Sequence, residues 1–206
     1  SPTNYGVNAA TVAGLTVRGN ALLGGQIGVA ATSGTNTGII IEGNDIKTTS
    51  ANGIYTTAAD VLIRNNSVRS AGAHAIRIQG AGSRVVGNDV RDTTGIGIYL
   101  TTTVTGVAIT DINVVNSSGA AIAGMQADTI VRRNTGYVTE SRGSATIADA
   151  ASTVVVTHGL SASPNAVVVT ARGSEAVWVS ARTATTFTIS RAGTAGALVV
   201  DWQAEI

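Results

Sequence analysis

The chain has 206 residues, of which 44% are hydrophobic and 3% aromatic, with 25 glycines and no cysteine. Its net charge of +1 comes without any basic run, which excludes a general binder of polyanions, so we expect no nucleic-acid partner. The lack of cysteine excludes disulfides and thiol catalysis, and no apolar run approaches the roughly 18 residues of a membrane span, so we expect no membrane insertion.

The first two thirds of the chain repeats one short phrase, exemplified by "IEGNDI" at residues 41–46 and "IRNNSV" at residues 63–68. Aligned on the asparagine, the steps between repeats are 24, 22, 22, 24 and 22 residues, with Ile112 at the fifth position. Apolar columns lie three residues before, two after and ten after this anchor. A fixed period of this length indicates a repeat architecture in which stacked units share one core. The anchors are Asn20, Asn44, Asn66, Asn88 and Asn134.

The residue types in each repeat favour strands over helices. Val and Ile dominate two short runs per period, apolar positions alternate with polar ones, and no helical stripe is present. The repeat therefore predicts an all-β protein with a parallel β-helix of about six rungs of 22–24 residues over residues 1–136.

The anchor asparagines are interpreted as a structural turn ladder. Asparagine tolerates left-handed backbone angles, and stacked side-chain amides can donate and accept hydrogen bonds along the column. Gly19, Gly43, Asn65 and Gly87, directly before the anchors, suit the same corner. No carboxylate column accompanies the asparagines, so we expect neither a metal site nor a cofactor.

The repeat ends after "VRRNTGY", and a different pattern follows. Residues 137–143 are interpreted as a polar neck, and residues 144–206 hold six short alternating runs, from "SATIAD" to "ALVVDWQAE". Such runs, with turn residues between them, predict an antiparallel six-stranded β-sandwich. The chain starts at "SPTNYG" without an initiating Met, so we expect a longer protein with an N-terminal remainder.

The stretch from about Gly143 to Ile206 carries a family resemblance. "VVVTHGLSASPNAVVVTA", "VWVSARTATTFTIS" and the closing "VDWQAE" resemble the small C-terminal β-domains of bacteriophage tail fibres and tailspikes, and also look like the H-type lectin fold. The "GNDI" and "NNSV" rungs resemble the pectate-lyase-type right-handed β-helix found in those tailspikes. The resemblance implies a homotrimer on a virion tail, outside the cell, whose tip binds bacterial surface polysaccharide.

Eleven residues past the anchor, three successive rungs carry Tyr55, Arg77 and Tyr99. Two tyrosines flanking an arginine form an amphipathic patch that could stack on a sugar ring and donate hydrogen bonds to its hydroxyls. The alternative interpretation is a cation–π ladder that stiffens the solenoid. Trp178 and Arg182 in the C-terminal part are further glycan-binding candidates, with Trp178 expected to be exposed or buried between protomers.

Charged residues also stack at rung spacing. Lys47, Arg69 and Arg91 bring like charges together, which predicts either pairing with neighbouring carboxylates or an acidic polysaccharide as ligand. Asp45 and Asp89 share a register two rungs apart, about 9.6 Å, which is the outer limit for the carboxylate pair of an inverting glycosidase. They are weak catalytic candidates, because solvated turn aspartates are far commoner.

The sequence therefore favours a structural and receptor-binding module over an enzyme. The alternative is a polysaccharide depolymerase, a glycoside hydrolase or lyase, with a groove along the β-helix. A bacterial surface adhesin would share the same architecture. His74 is interpreted as a packed or solvated residue, since no motif ties a Ser or Asp to it. The resemblance to tail-fibre domains implies that His158 lies in a loop, where it makes structural hydrogen bonds.

Overall fold

The computed structural model describes residues 4–10, 13–32 and 37–206. The chain forms two compact units, Ser1–Gly136 and Tyr137–Ile206. Among the described residues, no helix is long and apolar enough to cross a membrane. Each unit is all-β.

The first unit is a parallel β-solenoid of about six turns, whose strands fall into three sheets. Sheet A comprises β1 (Tyr5–Ala9), β4 (Ile27–Ala31), β7 (Ile54–Thr56), β10 (Ile76–Ile78), β13 (Ile98–Leu100) and β16 (Ile122–Ala123). Sheet B comprises β2 (Thr16–Arg18), β5 (Ile40–Glu42), β8 (Leu62–Arg64), β11 (Arg84–Val86), β14 (Ala108–Thr110) and β17 (Ile130–Arg132). Sheet C comprises β3 (Ala21–Leu23), β6 (Asp45–Lys47), β9 (Ser67–Arg69), β12 (Asp89–Arg91) and β15 (Asn113–Val115).

A full rung has three strands, not the two runs predicted from the sequence. The first run is split because the residue before each anchor has a positive φ, which turns the chain sharply between sheets B and C. Asn65, at φ 53°, separates β8 from β9 in this way. The anchor asparagine itself is not the left-handed residue. The corner residues with positive φ are Gly19, Gly43, Asn65, Gly87, Asp111 and Arg133.

The predicted apolar columns form the interior of the solenoid. Ile63, Val68 and Ile76 represent the three sheets, and all are fully buried. The column ten residues after the anchor is wrong at its first position. Ala30, ten residues after Asn20, pairs with Tyr55, whereas Val29 pairs with Ile54. The first rung reaches sheet A one residue sooner after its anchor than the next rung does, so Val29 takes the inward position.

The anchor asparagines are hydrogen-bonded in a column. The Asn66 amide nitrogen donates to Oδ1 of Asn88 and to the Ile41 carbonyl, both at 2.9 Å. Its Oδ1 accepts from the backbone N–H and the side-chain amide of Asn44, at 3.0 and 2.9 Å. At the fifth position Ile112 interrupts the side-chain series, although its backbone N–H still donates to Oδ1 of Asn134 at 2.9 Å.

The second unit has six strands arranged as two three-stranded antiparallel sheets. Its core contains side chains from both sheets, including Phe187, Ile189 and Val200. One sheet has the order β18 (Glu140–Ile147), β23 (Leu198–Glu205), β20 (Ala166–Ala171), and the other β19 (Thr153–Thr157), β22 (Thr186–Arg191), β21 (Val177–Arg182).

The predicted neck, residues 137–143, is not a separate segment. Glu140 to Gly143 belong to strand β18, where they pair with Glu205 to Trp202. The sequence concealed this strand because Glu140, Ser141, Arg142 and Gly143 lack the apolar alternation that marks a half-buried strand.

Candidate ligand-binding site

The outer column of sheet A places Tyr55, Arg77 and Tyr99 side by side. Tyr55 pairs with Arg77, and Arg77 pairs with Tyr99, in a continuous parallel register. Their neighbours on each strand, such as Ile76 and Ile78, are fully buried. The alternation of the strand therefore turns the three polar side chains outward, where each is half-buried.

The guanidinium of Arg77 lies between the two tyrosine rings. Its central carbon is 5.5 Å from the centroid of the Tyr55 ring and 5.9 Å from that of Tyr99, within cation–π range. Its Nε is buried and makes no hydrogen bond. Within the described residues, no carboxylate forms an ion pair with Arg77.

Two residues on either side of strand β10, His74 and Gln79, complete this site. The His74 ring lies 4.7 Å from the Tyr99 ring, centroid to centroid, and tilted by 34°. Nδ1 of His74 accepts a hydrogen bond from the Ile96 N–H at 3.3 Å. Gln79 accepts a hydrogen bond from the Tyr55 hydroxyl at 2.8 Å.

The surroundings of His74 favour its neutral form. Burial lowers the pKa of its imidazole below the usual range, and the nearby Arg77 charge lowers this pKa further. Because Nδ1 accepts from Ile96, the ring proton of the neutral form is assigned to Nε2. His74 therefore offers a hydrogen-bond donor at Nε2, and not a free base, to a ligand on this face.

His74 and Gln79 were not predicted as site residues. Spacing places them near the column, since His74 is three residues before Arg77 and Gln79 two residues after it. It does not predict their contacts with Tyr99 and Tyr55, which depend on side-chain directions. The histidine was interpreted as a packed or solvated residue.

The structure separates Trp178 from Arg182. Trp178 is 47% exposed and pairs with Ser190, whereas Val179 pairs with the buried Ile189. A β-bulge at Ser180 shifts the register, so that Arg182 pairs with the buried Phe187. Trp178 and Arg182 therefore lie on opposite faces of the sheet.

Arg182 also has a partner of its own. It donates from Nη1 to the Asn165 carbonyl at 2.9 Å. The two C-terminal candidates thus do not form one patch, and the column on sheet A is the only predicted group of aromatic and arginine side chains that the described structure brings together.

The candidate carboxylates of sheet C are engaged in local pairs. Asp45 and Asp89 lie in one column with Ser67 between them. Asp45 pairs with Lys47 at 2.6 Å, and Asp89 with Arg91 at 2.8 Å. Burial raises the pKa of Asp89, but hydrogen bonds from Arg91 and Asn113 outweigh it, so the net pKa is lowered.

The charged column on sheet B is an ion-pair series. Glu42 is 8% exposed and lies between Arg18 and Arg64, pairing with both; Arg64 Nη2 is 2.6 Å from its Oε2. The Arg64 hydrogen bond is the largest of the effects that hold the pKa of Glu42 below its usual value. Glu42 is thus neutralised by two arginines, and the series keeps one net positive charge.

The chain belongs to the right-handed β-helix family, which matches over residues 5–159. The match covers the three-sheet solenoid and continues into strand β19 of the second unit. It establishes the solenoid fold and its handedness. The resemblance of residues 143–206 to tail-fibre domains and to the H-type lectin fold stays a prediction.

Several solved structures are similar at low identity. A mutant of the periplasmic alginate epimerase AlgG shares 15% identity with a TM-score of 0.43, covering 64% of this chain and 42% of its own. The tailspike of Acinetobacter baumannii bacteriophage AP22, in complex with capsular saccharide, shares 12% with a TM-score of 0.44, covering 98% and 58%. The Dettilon tailspike shares 11% with a TM-score of 0.37, covering 92% and 56%.

The chain thus spans less than two thirds of the length of each of these structures. No curated protein sequence matches it.

Proposed function

We propose that this chain is a structural and carbohydrate-binding module that attaches a larger assembly to a glycan surface. The observation that carries the proposal is the outward column Tyr55–Arg77–Tyr99, in which two tyrosine rings flank an arginine without an ion-pair partner among the described residues. The rigid parallel register holds these side chains at rung spacing, which reduces the entropy lost on binding.

The chemistry of the column suits a sugar. Half-buried tyrosines present an apolar ring face that can pack on the C–H face of a pyranose, together with a hydroxyl that can bond to its oxygens. Gln79, already bonded to Tyr55, has an amide nitrogen that can donate to a ligand. An extended chain running along the solenoid axis would meet these groups in succession.

The setting follows from the resemblance of the C-terminal residues. We place the module in a phage or phage-derived tail fibre or spike, with bacterial surface polysaccharide as ligand and a homotrimer as the working form. The resemblance of "VWVSARTATTFTIS" and "VDWQAE" to tail-fibre domains supports this setting. Three copies would multiply a weak single-site affinity through avidity.

Binding is favoured over hydrolysis. A glycosidase needs one carboxyl group with a raised pKa to act as general acid. Asp89 has a lowered pKa, and Asp45 is paired with Lys47, so both suit a charged surface better than a catalytic pair.

The test is binding of the purified chain to an array of bacterial surface polysaccharides, comparing the native protein with a Tyr55→Ala/Tyr99→Ala double variant. We expect the double variant to lose about tenfold or more in affinity for the glycan that the native chain binds. The matched control is Leu23→Ser, which removes an exposed apolar side chain from sheet C and should leave binding unchanged. Unchanged binding by the double variant would place the site outside the sheet A column and refute the proposal.

A further inference from the structure

Arg77 is the only charged residue in the described strands of sheet A. The six strands read YGVNA, IGVAA, IYT, IRI, IYL and IA, without a single carboxylate. A positive charge therefore stands alone on a face that is otherwise neutral. On sheets B and C, by contrast, acidic residues such as Glu42 and Asp89 stack beside the basic ones.

The guanidinium is also partly removed from water. Arg77 is half-buried, its Nε has no acceptor, and its flat faces are flanked by Tyr55 and Tyr99. A desolvated charge without a partner is unfavourable, so an anion that reaches it recovers more free energy than it would at a fully exposed arginine. The cation–π contacts with two neutral rings do not neutralise the charge of Arg77.

A second donor is on His74, whose ring contacts Tyr99. Nε2–H of His74 is the ring donor left after Nδ1 accepts from Ile96. Two donors of this kind suit an anionic group with two oxygens. A guanidinium matches a carboxylate bidentately, through two parallel N–H···O bonds.

We propose that Arg77 is a specificity-determining residue that binds a carboxylate of the glycan, so that the saccharide recognised by sheet A is acidic, of the uronic-acid type. This inference rests on the proposed function, since it names the class of glycan for the same site. Neutral sugar rings would still stack on the tyrosines. The carboxylate adds the charge-assisted bonds that select among glycans.

The experiment is titration calorimetry of the full chain with two matched probes, a uronic-acid oligosaccharide and the same oligosaccharide after reduction of its carboxyl groups to alcohols. We expect the acidic probe to bind about tenfold or more tightly than the reduced one. Arg77→Gln should remove most of that preference, because it lowers the affinity for the acidic probe far more than the affinity for the reduced one. Arg77→Lys, which keeps the charge but not the planar fork, should retain only part of it.

The matched control is Arg84→Gln, which removes an exposed arginine from sheet B. An equal loss in Arg84→Gln and Arg77→Gln would mean that the acidic probe is held by overall charge, and would overturn the inference. Equal affinity for both probes would also overturn it, while leaving the carbohydrate-binding proposal intact. Failure of both probes and of the polysaccharide array would refute the proposed function as well.

Inorganic phosphate is the competitor that separates the anion classes. Weak competition, needing far more phosphate than acidic probe, is expected if a carboxylate is preferred. Competition by phosphate at concentrations similar to those of the acidic probe would show that the site prefers phosphate, and would overturn the carboxylate assignment.

Discussion

Asn66 uses its side-chain amide in four hydrogen bonds, two donated and two accepted. The residue is 1% exposed, so water cannot replace these bonds when the side chain is removed. Two of the partners are backbone groups, the Ile41 carbonyl and the Asn44 N–H, which would remain buried without a partner. An unsatisfied buried polar group costs about 1–3 kcal/mol.

We therefore expect Asn66→Ala to lower the free energy of unfolding by about 2–5 kcal/mol, measured by urea denaturation followed by far-UV circular dichroism. The control is Asn20→Ala at the first rung, where the side chain is only half-buried and donates to Asn44 and Arg18. That variant should cost roughly 1 kcal/mol. Equal losses in the two variants would contradict the view that the ladder stabilises through buried, unreplaced bonds.

The protonation of His74 gives a second outcome at the residue scale. Its pKa is lowered in the folded protein by burial and then by Arg77, so the unfolded chain binds the proton more readily. This histidine should not affect stability well above about pH 6.5, and should reduce it as the pH falls below that value.

Nuclear magnetic resonance titration of the imidazole protons measures this directly. We expect the pKa of His74 to rise toward its ordinary value in Arg77→Gln, with only part of the shift removed because burial is the larger cause. A His74 titration that is identical in the two proteins would show that the Arg77 charge does not reach the imidazole.

At the residue scale, the sequence allowed some roles to be predicted and hid others. The spacing of the anchors identified the asparagine column, because a repeat aligns equivalent residues whatever their side chains do. It placed both the anchor asparagine and the residue before it at the corner, but only the residue before the anchor, such as Asn65, has the left-handed angle. Asparagine suits both the position that hydrogen-bonds across a corner and the position that bends the chain there. Only the backbone angles distinguish the two roles.

At the scale of single elements, strand β22 contains a buried charged residue, Arg191, that makes several hydrogen bonds. Arg191, at 3% exposure, donates to the carbonyls of Ala151 and Gly196 at 2.8 Å and of Ala148 at 3.1 Å. It also reaches Glu175 at 3.3 Å. One side chain thus joins the turn after β18 to the turn before β23.

We expect Arg191→Met to destabilise the second unit by about 3–5 kcal/mol, since three carbonyls and Glu175 lose a buried partner. Both tryptophans, Trp178 and Trp202, lie in this unit, so tryptophan fluorescence during urea unfolding reports on it alone. The control is Arg172→Met, which breaks an exposed ion pair with Asp201 and should cost far less, because solvent screens that pair. A similar cost for both would mean that the buried bonds of Arg191 add nothing.

The role of Arg191 could not be read from the sequence. Arginine near the end of a run is normally a solvated residue, and its partners lie in turns roughly forty residues earlier and five later. The buried role of His158 was easier to anticipate. It accepts from the Leu160 N–H at 3.0 Å through Nδ1, and its Nε2 lies 3.3 Å from the Thr183 carbonyl, in agreement with its interpretation as a hydrogen-bonded residue.

At the scale of the whole molecule, the exposed apolar residues of the second unit favour association of the chain with other copies of itself. Trp178 and Val155 are 47% and 64% exposed, on the two outer strands of the β19–β22–β21 sheet. Large apolar side chains on one open face favour contact with another copy, because association removes their surface from water.

We expect light scattering coupled to size exclusion to give the full chain a mass of about three times that of one protomer, and a Trp178→Ser variant to shift toward monomer. The control is Leu23→Ser, which removes an exposed apolar side chain from sheet C of the solenoid and should leave the mass unchanged. A native chain that elutes as a clean monomer would refute the homotrimer proposal. A trimer that survives Trp178→Ser would place the interface elsewhere.

At this scale the solenoid was predictable and the C-terminal unit only in part. Each rung buries side chains at the same positions, so one interior column is visible in the sequence as a repeated apolar residue. Its members include Ile41, Ile63, Val85 and Ile109. The second unit has no such redundancy. Its six strands were recognised, but the pairing of β18 with β23, the first strand with the last, depends on contacts that local alternation does not encode.

The identical spacing of the central rungs makes the length of this protein adjustable. Ile54 to Ile76, Ile63 to Val85 and Val68 to Val90 are each 22 residues apart, so removing residues 66–87 would rejoin the chain at an equivalent anchor with all three sheets in register. Tyr55 would then meet Tyr99 directly, and the positive charge would vanish from that face in the same event. Gain or loss of one rung is therefore a single genetic step that changes the length of the solenoid and the charge of its sheet A face together.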